Sequence, residues 1–128
     1  MTETSTDALG RARVHKTIPV PVGTPITIGE AGGATIGHEE PFVFAGVEFF
    51  SSDSGLEADW VTPTAGSCTF VVTTLDNPQF TDAITVPTVD ATAPELVSWE
   101  GPTKRVTVTA TGVTGATHWR LNLRALRP

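Results

Sequence analysis

The 128-residue chain contains a single cysteine, Cys68, and no tyrosine. One cysteine excludes an intramolecular disulfide and is typical of proteins made in a reducing cytoplasm. Cys68 is close to Phe70, Val71 and Val72, so we expect its side chain to pack as a small hydrophobic group. No basic residue lies near it in the sequence to lower its pKa, which argues against a reactive thiol.

The chain also lacks the run of about 18 apolar residues that a membrane-spanning helix requires. Its start has no basic region followed by an apolar region, so no signal peptide is predicted. The patterns Gly-x-Gly-x-x-Gly and Gly-Lys-Ser/Thr of nucleotide-binding proteins are missing, as is the Gly-x-Ser-x-Gly elbow of esterases. We therefore predict a protein that is not an enzyme, needs no cofactor and contacts no membrane.

The three histidines are the first candidates for catalysis or metal binding. His38 precedes two glutamates, but the His-Glu-x-x-His spacing of a helical metal site is absent, and we predict a solvated loop. His118 has no nucleophile or orienting carboxylate at a suggestive spacing, so we expect an exposed strand residue. Three acids cluster without the spacing of a calcium-binding loop, and solvated charges are favoured there: Asp53, Glu57 and Asp59. No catalytic residue and no metal ligand is predicted.

The charges are strongly segregated. No Lys or Arg occurs between Lys16 and Lys104, whereas twelve of the fourteen carboxylates lie in that interval. The net charge of −6 opposes a nucleic-acid surface, because an acidic protein repels phosphate. Two interpretations remain for the basic ends. They neutralise acidic strands within one monomer, or they meet the acidic surface of a neighbouring subunit.

Frequent Thr, Val, Ile, Gly and Pro predict short strands separated by turns. We expect an extended edge or polyproline-like segment at 15–22, strands at 24–28, 42–50, 59–62, 67–75, 80–86, 96–99, 105–111 and 117–125, and a flexible loop at 29–37. Gly46 is a candidate β-bulge. The fold class is all-β, an antiparallel β-sandwich or barrel of the immunoglobulin-like or jelly-roll-like kind. We expect one domain over 14–128, preceded by an extended N-terminal arm over 1–13.

The last two strands, 105–111 and 117–125, are predicted to form a hairpin. In the second of them, alternation places Trp119, Leu121 and Leu123 on one face and His118, Arg120, Asn122 and Arg124 on the other. The polar face is a basic ridge on an acidic protein. With the basic residues of the arm, it supplies the predicted partner-binding residues: Arg11, Arg13, Lys16, Arg120 and Arg124.

Three tryptophans bear on the same question. Trp99 and Trp119 belong to apolar patterns and are expected in the core or in an interface, whereas the position of Trp60 is undecided. An exposed aromatic platform would instead favour a module that binds carbohydrate.

Three segments of the C-terminal half carry a resemblance to a known class of proteins: Val61-Thr-Pro-Thr-Ala-Gly66, Glu100-Gly-Pro-Thr-Lys-Arg-Val106 and Thr111-Gly-Val-Thr-Gly-Ala-Thr-His-Trp-Arg-Leu121. This part of the chain, about residues 60 to 125, resembles small β-sandwich structural proteins of tailed bacteriophages, including capsid decoration proteins. The resemblance implies a non-enzymatic virion protein that is made in the cytoplasm of the host bacterium.

The leading hypothesis is a capsid decoration (cement) protein that binds the major capsid protein or other virion subunits and forms a homo-oligomer. A tail or neck subunit, such as a tube or terminator protein, is the alternative within the same class. A β-sandwich module that binds carbohydrate or a host surface is the alternative from another class.

Overall fold

The alternating sequence forms paired strands in the computed structural model, which describes residues 2–6, 12–28, 42–73, 83–84, 86–100, 103 and 105–126. Within these residues there are eleven strands and one short 3-10 helix, Glu57–Asp59. The strands are β1 (Thr2–Thr6), β2 (Ala12–Thr17), β3 (Val20–Pro21), β4 (Ile26–Ile28), β5 (Phe42–Phe50), β6 (Ala65–Thr73), β7 (Ala83–Ile84), β8 (Val89–Asp90), β9 (Val97–Glu100), β10 (Arg105–Thr114) and β11 (His118–Leu126).

The strands form two antiparallel sheets that pack against each other. The first sheet has the order β1-β2-β11-β5-β9, and β3 also pairs with β11. The second sheet has the order β4-β10-β6-β7, and β8 also pairs with β6. The prediction of an all-β antiparallel sandwich is therefore confirmed. In the described part of the chain, no helix is long and apolar enough to cross a bilayer.

The core is built from alternate residues of both sheets. From β11, Trp119, Leu121 and Leu123 are buried, and they meet buried residues of β6 and β10 such as Val72 and Val108. The indole N–H of Trp119 donates a hydrogen bond to the Thr24 carbonyl at 2.9 Å, so the ring is buried without an unpaired donor. Trp99 is buried as well, and its indole N–H donates to the Thr103 hydroxyl at 2.8 Å. Trp99 and Trp119 are thus core residues, as predicted.

The Thr17 hydroxyl bridges the break between β2 and β3. Its oxygen accepts a hydrogen bond from the Leu121 N–H at 2.9 Å and lies 3.3 Å from the Leu121 carbonyl. This side chain therefore replaces the backbone partner that Leu121 would otherwise have in the ladder. Such a replacement matters because an unpaired buried backbone group is costly.

The predicted hairpin of the last two strands is wrong. β10 pairs with β4 and β6 in the second sheet, whereas β11 pairs with β2, β3 and β5 in the first. The short connection after Thr114 crosses from one sheet to the other. A period-2 pattern identifies the buried face of each strand but not its neighbour, so the two arrangements look alike in the sequence.

Other predicted elements also differ. The register between β5 and β11 runs without a break from Phe42↔Leu126 to Phe50↔His118, so Gly46 is not a bulge. The predicted strand at 59–62 is a single bridge between Phe50 and Trp60 that follows the 3-10 helix. The loop at 29–37 lies outside the described residues.

The N-terminal residues contribute to the first sheet. β1 pairs with β2 from Thr2↔Thr17 to Thr6↔Arg13, and β2 pairs with β11. The segment predicted as an arm, 1–13, thus contains a strand at one edge of the sheet. The predicted boundary before residue 14 falls inside β2.

Gly66 of β6 is required by a close approach to β10. It has φ +120°, and a Cβ at this position would lie 2.7 Å from the Val113 Cα. Val113 lies in an irregularity of β10 between Thr111 and Thr114, where the register with β6 shifts. The irregularity brings the backbones so close that only glycine fits.

We expect Gly66→Ala to lower the free energy of unfolding by at least about 2 kcal/mol, because backbone atoms must move and φ becomes strained. Gly23→Ala is the matched control, since a Cβ there meets nothing within 4 Å, and its effect should stay within about 0.5 kcal/mol. Urea unfolding followed by tryptophan fluorescence measures both. Equal effects would show that the approach of Val113 does not restrict this position.

Candidate functional site

The predicted basic ridge lies on the outer face of the first sheet. Because Trp119, Leu121 and Leu123 are buried, the residues between them on β11 face away from the core. Lys16 of β2 is exposed and lies opposite Asn122 in the register. The fold therefore brings three predicted residues together around Asn122: Lys16, Arg120 and Arg124.

The structure says less about the other two predicted residues, Arg11 and Arg13. Arg11 lies outside the described residues. Arg13 belongs to β2, where its Cα is opposite those of Thr6 in β1 and Ala125 in β11. Their role in partner binding stays a prediction.

Arg120 is held by the protein itself. Its Nε donates a hydrogen bond to Glu48 Oε2 at 2.5 Å, and its Nη1 lies 3.5 Å from the Gly55 carbonyl. The guanidinium carbon is 5.0 Å from the centre of the buried Phe50 ring, a favourable cation–π distance. The side chains are only 16% exposed for Arg120 and 27% for Glu48. Arg120 thus connects β11, β5 and the following loop, and its charge is already compensated.

Arg124 is different, since its side chain is exposed and it forms no ion pair with a described residue. Lys16 is also exposed, although its Cα is opposite that of Glu3 in β1 as well as that of Asn122. Arg124 is therefore the cation of the ridge that is most available to a partner.

A groove crosses the outer face next to Arg124. Its volume is about 420 Å³, and its lining includes Phe44, Gly46, Leu96, Asn122 and Arg124. Gly46 and Asn122 are directly opposite in the register of β5 and β11, and a Cβ at Gly46 would lie 3.5 Å from Leu96 Cδ1, so Gly46 forms the floor beneath the Leu96 side chain. We call this depression the outer-sheet groove.

Two features of the outer-sheet groove are unusual for a surface that contacts only water. Leu96, immediately before β9, is 69% exposed at its wall. The side-chain oxygen Oδ1 of Asn122 is buried, and no described residue donates a hydrogen bond to it. Buried polar atoms are nearly always hydrogen-bonded, so the groove presents an acceptor in need of a donor.

The sequence did not identify this groove. Gly46 stood out only as a candidate bulge, and Leu96 as the start of a strand. β9 pairs with β5 from Glu100↔Phe42 to Val97↔Ala45, which leaves Leu96 just beyond the ladder. Leu96 is exposed because it lies beyond the last residue pair of the β5–β9 ladder.

Two acidic side chains outside the groove, Asp59 and Asp90, stabilise their own loops through hydrogen bonds. The Asp59 carboxylate accepts hydrogen bonds from the hydroxyls of Ser54 and Ser52, which hold its pKa below the usual value. Asp90 accepts hydrogen bonds from the backbone N–H and the hydroxyl of Thr92, both at 2.8 Å, and they likewise lower its pKa. Within the described residues, no group of three or more potential ligands is placed to hold a metal ion.

The remaining candidates for chemistry also have local roles. Nδ1 of His118 is 2.9 Å from the Thr117 hydroxyl. Cys68 is fully buried, and burial raises the pKa of its thiol to about 11. The thiol is thus kept protonated in the core, which agrees with the expected packing.

Comparisons with known proteins identify a family. The chain belongs to the family described as a domain of unknown function (DUF7265), whose profile matches residues 13–125. No curated protein matches it. A solved chain from the disulfide-linked pili of Bacillus endospore appendages is similar at a TM-score of 0.38 with 11% sequence identity, over 99% of this chain and 100% of that one.

We expect Arg120→Ala to lower the free energy of unfolding by about 1–3 kcal/mol, because Glu48 is left partly buried without its partner. Arg124→Ala is the matched control on the same face of β11 and should change the stability by less than about 0.5 kcal/mol. Urea unfolding of the two variants measures this difference. A neutral Arg120→Ala would show that the ion pair does not support the fold.

Cys68 should react with a thiol reagent at pH 8 only after the protein is unfolded in urea. The raised pKa also predicts a pH dependence, since the unfolded thiol ionises near its ordinary value of 9.0 and the folded one near 11. Stability from this group is therefore complete below pH 9 and is lost as the pH rises to about 11. A Cys68→Ala variant should lose this part of the pH dependence, and rapid labelling of the folded protein would contradict the burial.

Proposed function

We propose that this protein is a structural subunit of the virion of a tailed bacteriophage, and that it acts as a capsid decoration protein. It binds the major capsid protein and works as part of a homo-oligomer, and the outer face of its first sheet is a contact surface for another subunit. The observation that carries this proposal is the exposed cation Arg124 beside an apolar groove, on a protein with a net charge of −6.

Physical chemistry favours a protein partner for this face. A groove with exposed Leu96, an available cation and an unsatisfied acceptor offers an apolar contact, an ion pair and a hydrogen bond within one small area. Interfaces between proteins combine these three kinds of contact. The net charge of −6 opposes binding to a phosphate chain, whereas the exposed guanidinium of Arg124 can pair with a single carboxylate of a protein partner.

The resemblance of residues 60 to 125 to phage structural proteins is the second support. Its three segments include the turn before β6, both ends of β10 and the connection into β11. A tail or neck subunit shares this support, and the position of the protein on the particle distinguishes the two.

Trp60 is the one observation that favours a carbohydrate-binding module. Its side chain is 47% exposed and lines a second depression with Val47, Glu48 and Pro94. A single exposed ring beside a carboxylate is a minimal platform for a sugar. Trp60→Ala should then abolish binding on a glycan array, and the absence of any bound glycan removes this second candidate.

The test of the proposed function is binding to capsids assembled without this protein. We expect Arg124→Glu to weaken binding at least tenfold, or about 1.4 kcal/mol, because an attractive contact becomes repulsive. Arg105→Glu is the matched control, since it makes the same charge change in β10 of the second sheet. Raising the salt concentration should weaken binding of the unchanged protein.

Electron microscopy of the complete particles locates the protein. Density over the whole shell supports a decoration protein, whereas density along the tail axis supports the tail alternative. If the protein is absent from purified particles by mass spectrometry, the virion role is wrong.

A further inference from the structure

An ordered loop keeps the side chain of Leu56 exposed to solvent. The acidic loop, residues 51–59, follows β5, and the Ser51 N–H donates to the Asp59 carbonyl at 2.8 Å. The Asp59 N–H donates to the Leu56 carbonyl at 2.9 Å, and the Asp59 carboxylate accepts from the hydroxyls of Ser52 and Ser54. Leu56 is nevertheless 63% exposed. Because the loop is already ordered, docking Leu56 costs little conformational entropy.

The charged residues of the acidic loop are all negative, although Arg120 of β11 reaches the carbonyl of Gly55, the neighbour of Leu56. Asp53 and Glu57 are exposed on either side of it, and the acidic loop contains no Lys or Arg. The loop therefore presents one apolar side chain between two free carboxylates.

The outer-sheet groove has the complementary properties. Phe44 and Leu96 provide apolar walls, Arg124 provides a cation, and the carboxylate of Glu48, which also lines the groove, is paired with Arg120. Lys16 is the next exposed cation, opposite Asn122. The buried Oδ1 of Asn122 requires a donor, which the backbone N–H groups of an inserted loop can supply.

The acidic loop lies beyond one end of the groove of its own chain, where Arg120 contacts both the Gly55 carbonyl and Glu48 of the groove lining. Gly55 lies against Pro19 and Arg120, close to Phe50 at the end of β5. The floor of the groove, Gly46, is four residues back along the strand, or about 13 Å at the usual rise per residue. The loop is thus available to another molecule rather than to its own groove.

From this complementarity we propose that two copies of the chain associate through the outer faces of their first sheets, with Leu56 of each copy inserted in the outer-sheet groove of the other. Arg124 of one copy then meets Glu57 of the other, the exposed acid directly after Leu56. Gly55 of the loop contacts Arg120 on the same outer face that carries the groove, so a two-fold axis through this face makes both contacts at once, as in most symmetric dimers. This inference rests on the proposed structural role and specifies the contact through which the oligomer forms.

The experiment is disulfide cross-linking between two differently tagged preparations. One carries Leu56→Cys and the other Ser98→Cys, a residue that is exposed and opposite Phe44 beside the groove. The native Cys68 is buried and does not interfere. After mixing and mild oxidation, we expect a cross-linked heterodimer in at least tenfold larger amount than with Thr109→Cys, an exposed control position in β10 of the second sheet.

A charge exchange tests the same contact without new cysteines. Arg124→Glu should raise the dissociation constant of the dimer at least tenfold in sedimentation experiments. Adding Glu57→Arg to the same chain should restore most of the lost affinity. Only a direct contact between the two residues gives this restoration of affinity. If Arg124→Glu acted by a general loss of stability, the second charge change would not reverse it.

A monomer at every accessible concentration, or equal cross-linking at position 109, overturns the inference. If capsids bind the protein but Leu56→Cys and Ser98→Cys do not cross-link, the dimer contact is wrong and the virion role is retained. If the cross-link forms but the protein is missing from particles, the dimer contact is retained and the virion role is wrong.

Discussion

The pairing of β11 with β5 is the interaction on which the rest of the structure depends. The two strands are opposite each other over nine residue pairs in the middle of the first sheet. Their inner faces contribute Trp119, Leu121, Leu123, Val43 and Phe49 to the core. Burying a side chain of this size stabilises a fold by about 1.5–3 kcal/mol. The same register determines which residues of the outer face become neighbours, so the core and the candidate interaction surface follow from one pairing.

This pairing gives two arginines of one strand different roles. Arg120 falls opposite Glu48 in the register and forms a partly buried ion pair over the Phe50 ring. Arg124, four residues further on the same face, falls opposite Phe44 and is exposed. Removing one member of a buried pair is costly, whereas an exposed charge contributes little to stability. Arg120 is therefore a residue of the framework, and Arg124 is the one available for recognition.

The outer-sheet groove is a consequence of two local features. Gly46 leaves the middle of β5 without a side chain, and the ladder between β5 and β9 stops at Ala45↔Val97. Asn122, opposite Gly46 in the register, has a buried side-chain oxygen to which no described residue donates a hydrogen bond. A buried acceptor without a donor, next to an exposed leucine and an exposed cation, is the physical basis of both proposals.

The sequence by itself determined the all-β class, most of the strand positions and the two faces of β11. It also predicted the core tryptophans, because alternation depends only on neighbouring residues in the chain. The tertiary structure alone decided that β11 pairs with β5 and β2 rather than with β10, that Glu48 meets Arg120 across 72 positions, and that Gly46 forms a floor. Backbone hydrogen bonds are the same for every pair of strands. The partner of a strand is therefore selected by the packing of the whole sandwich, and a local sequence pattern carries no information about that packing.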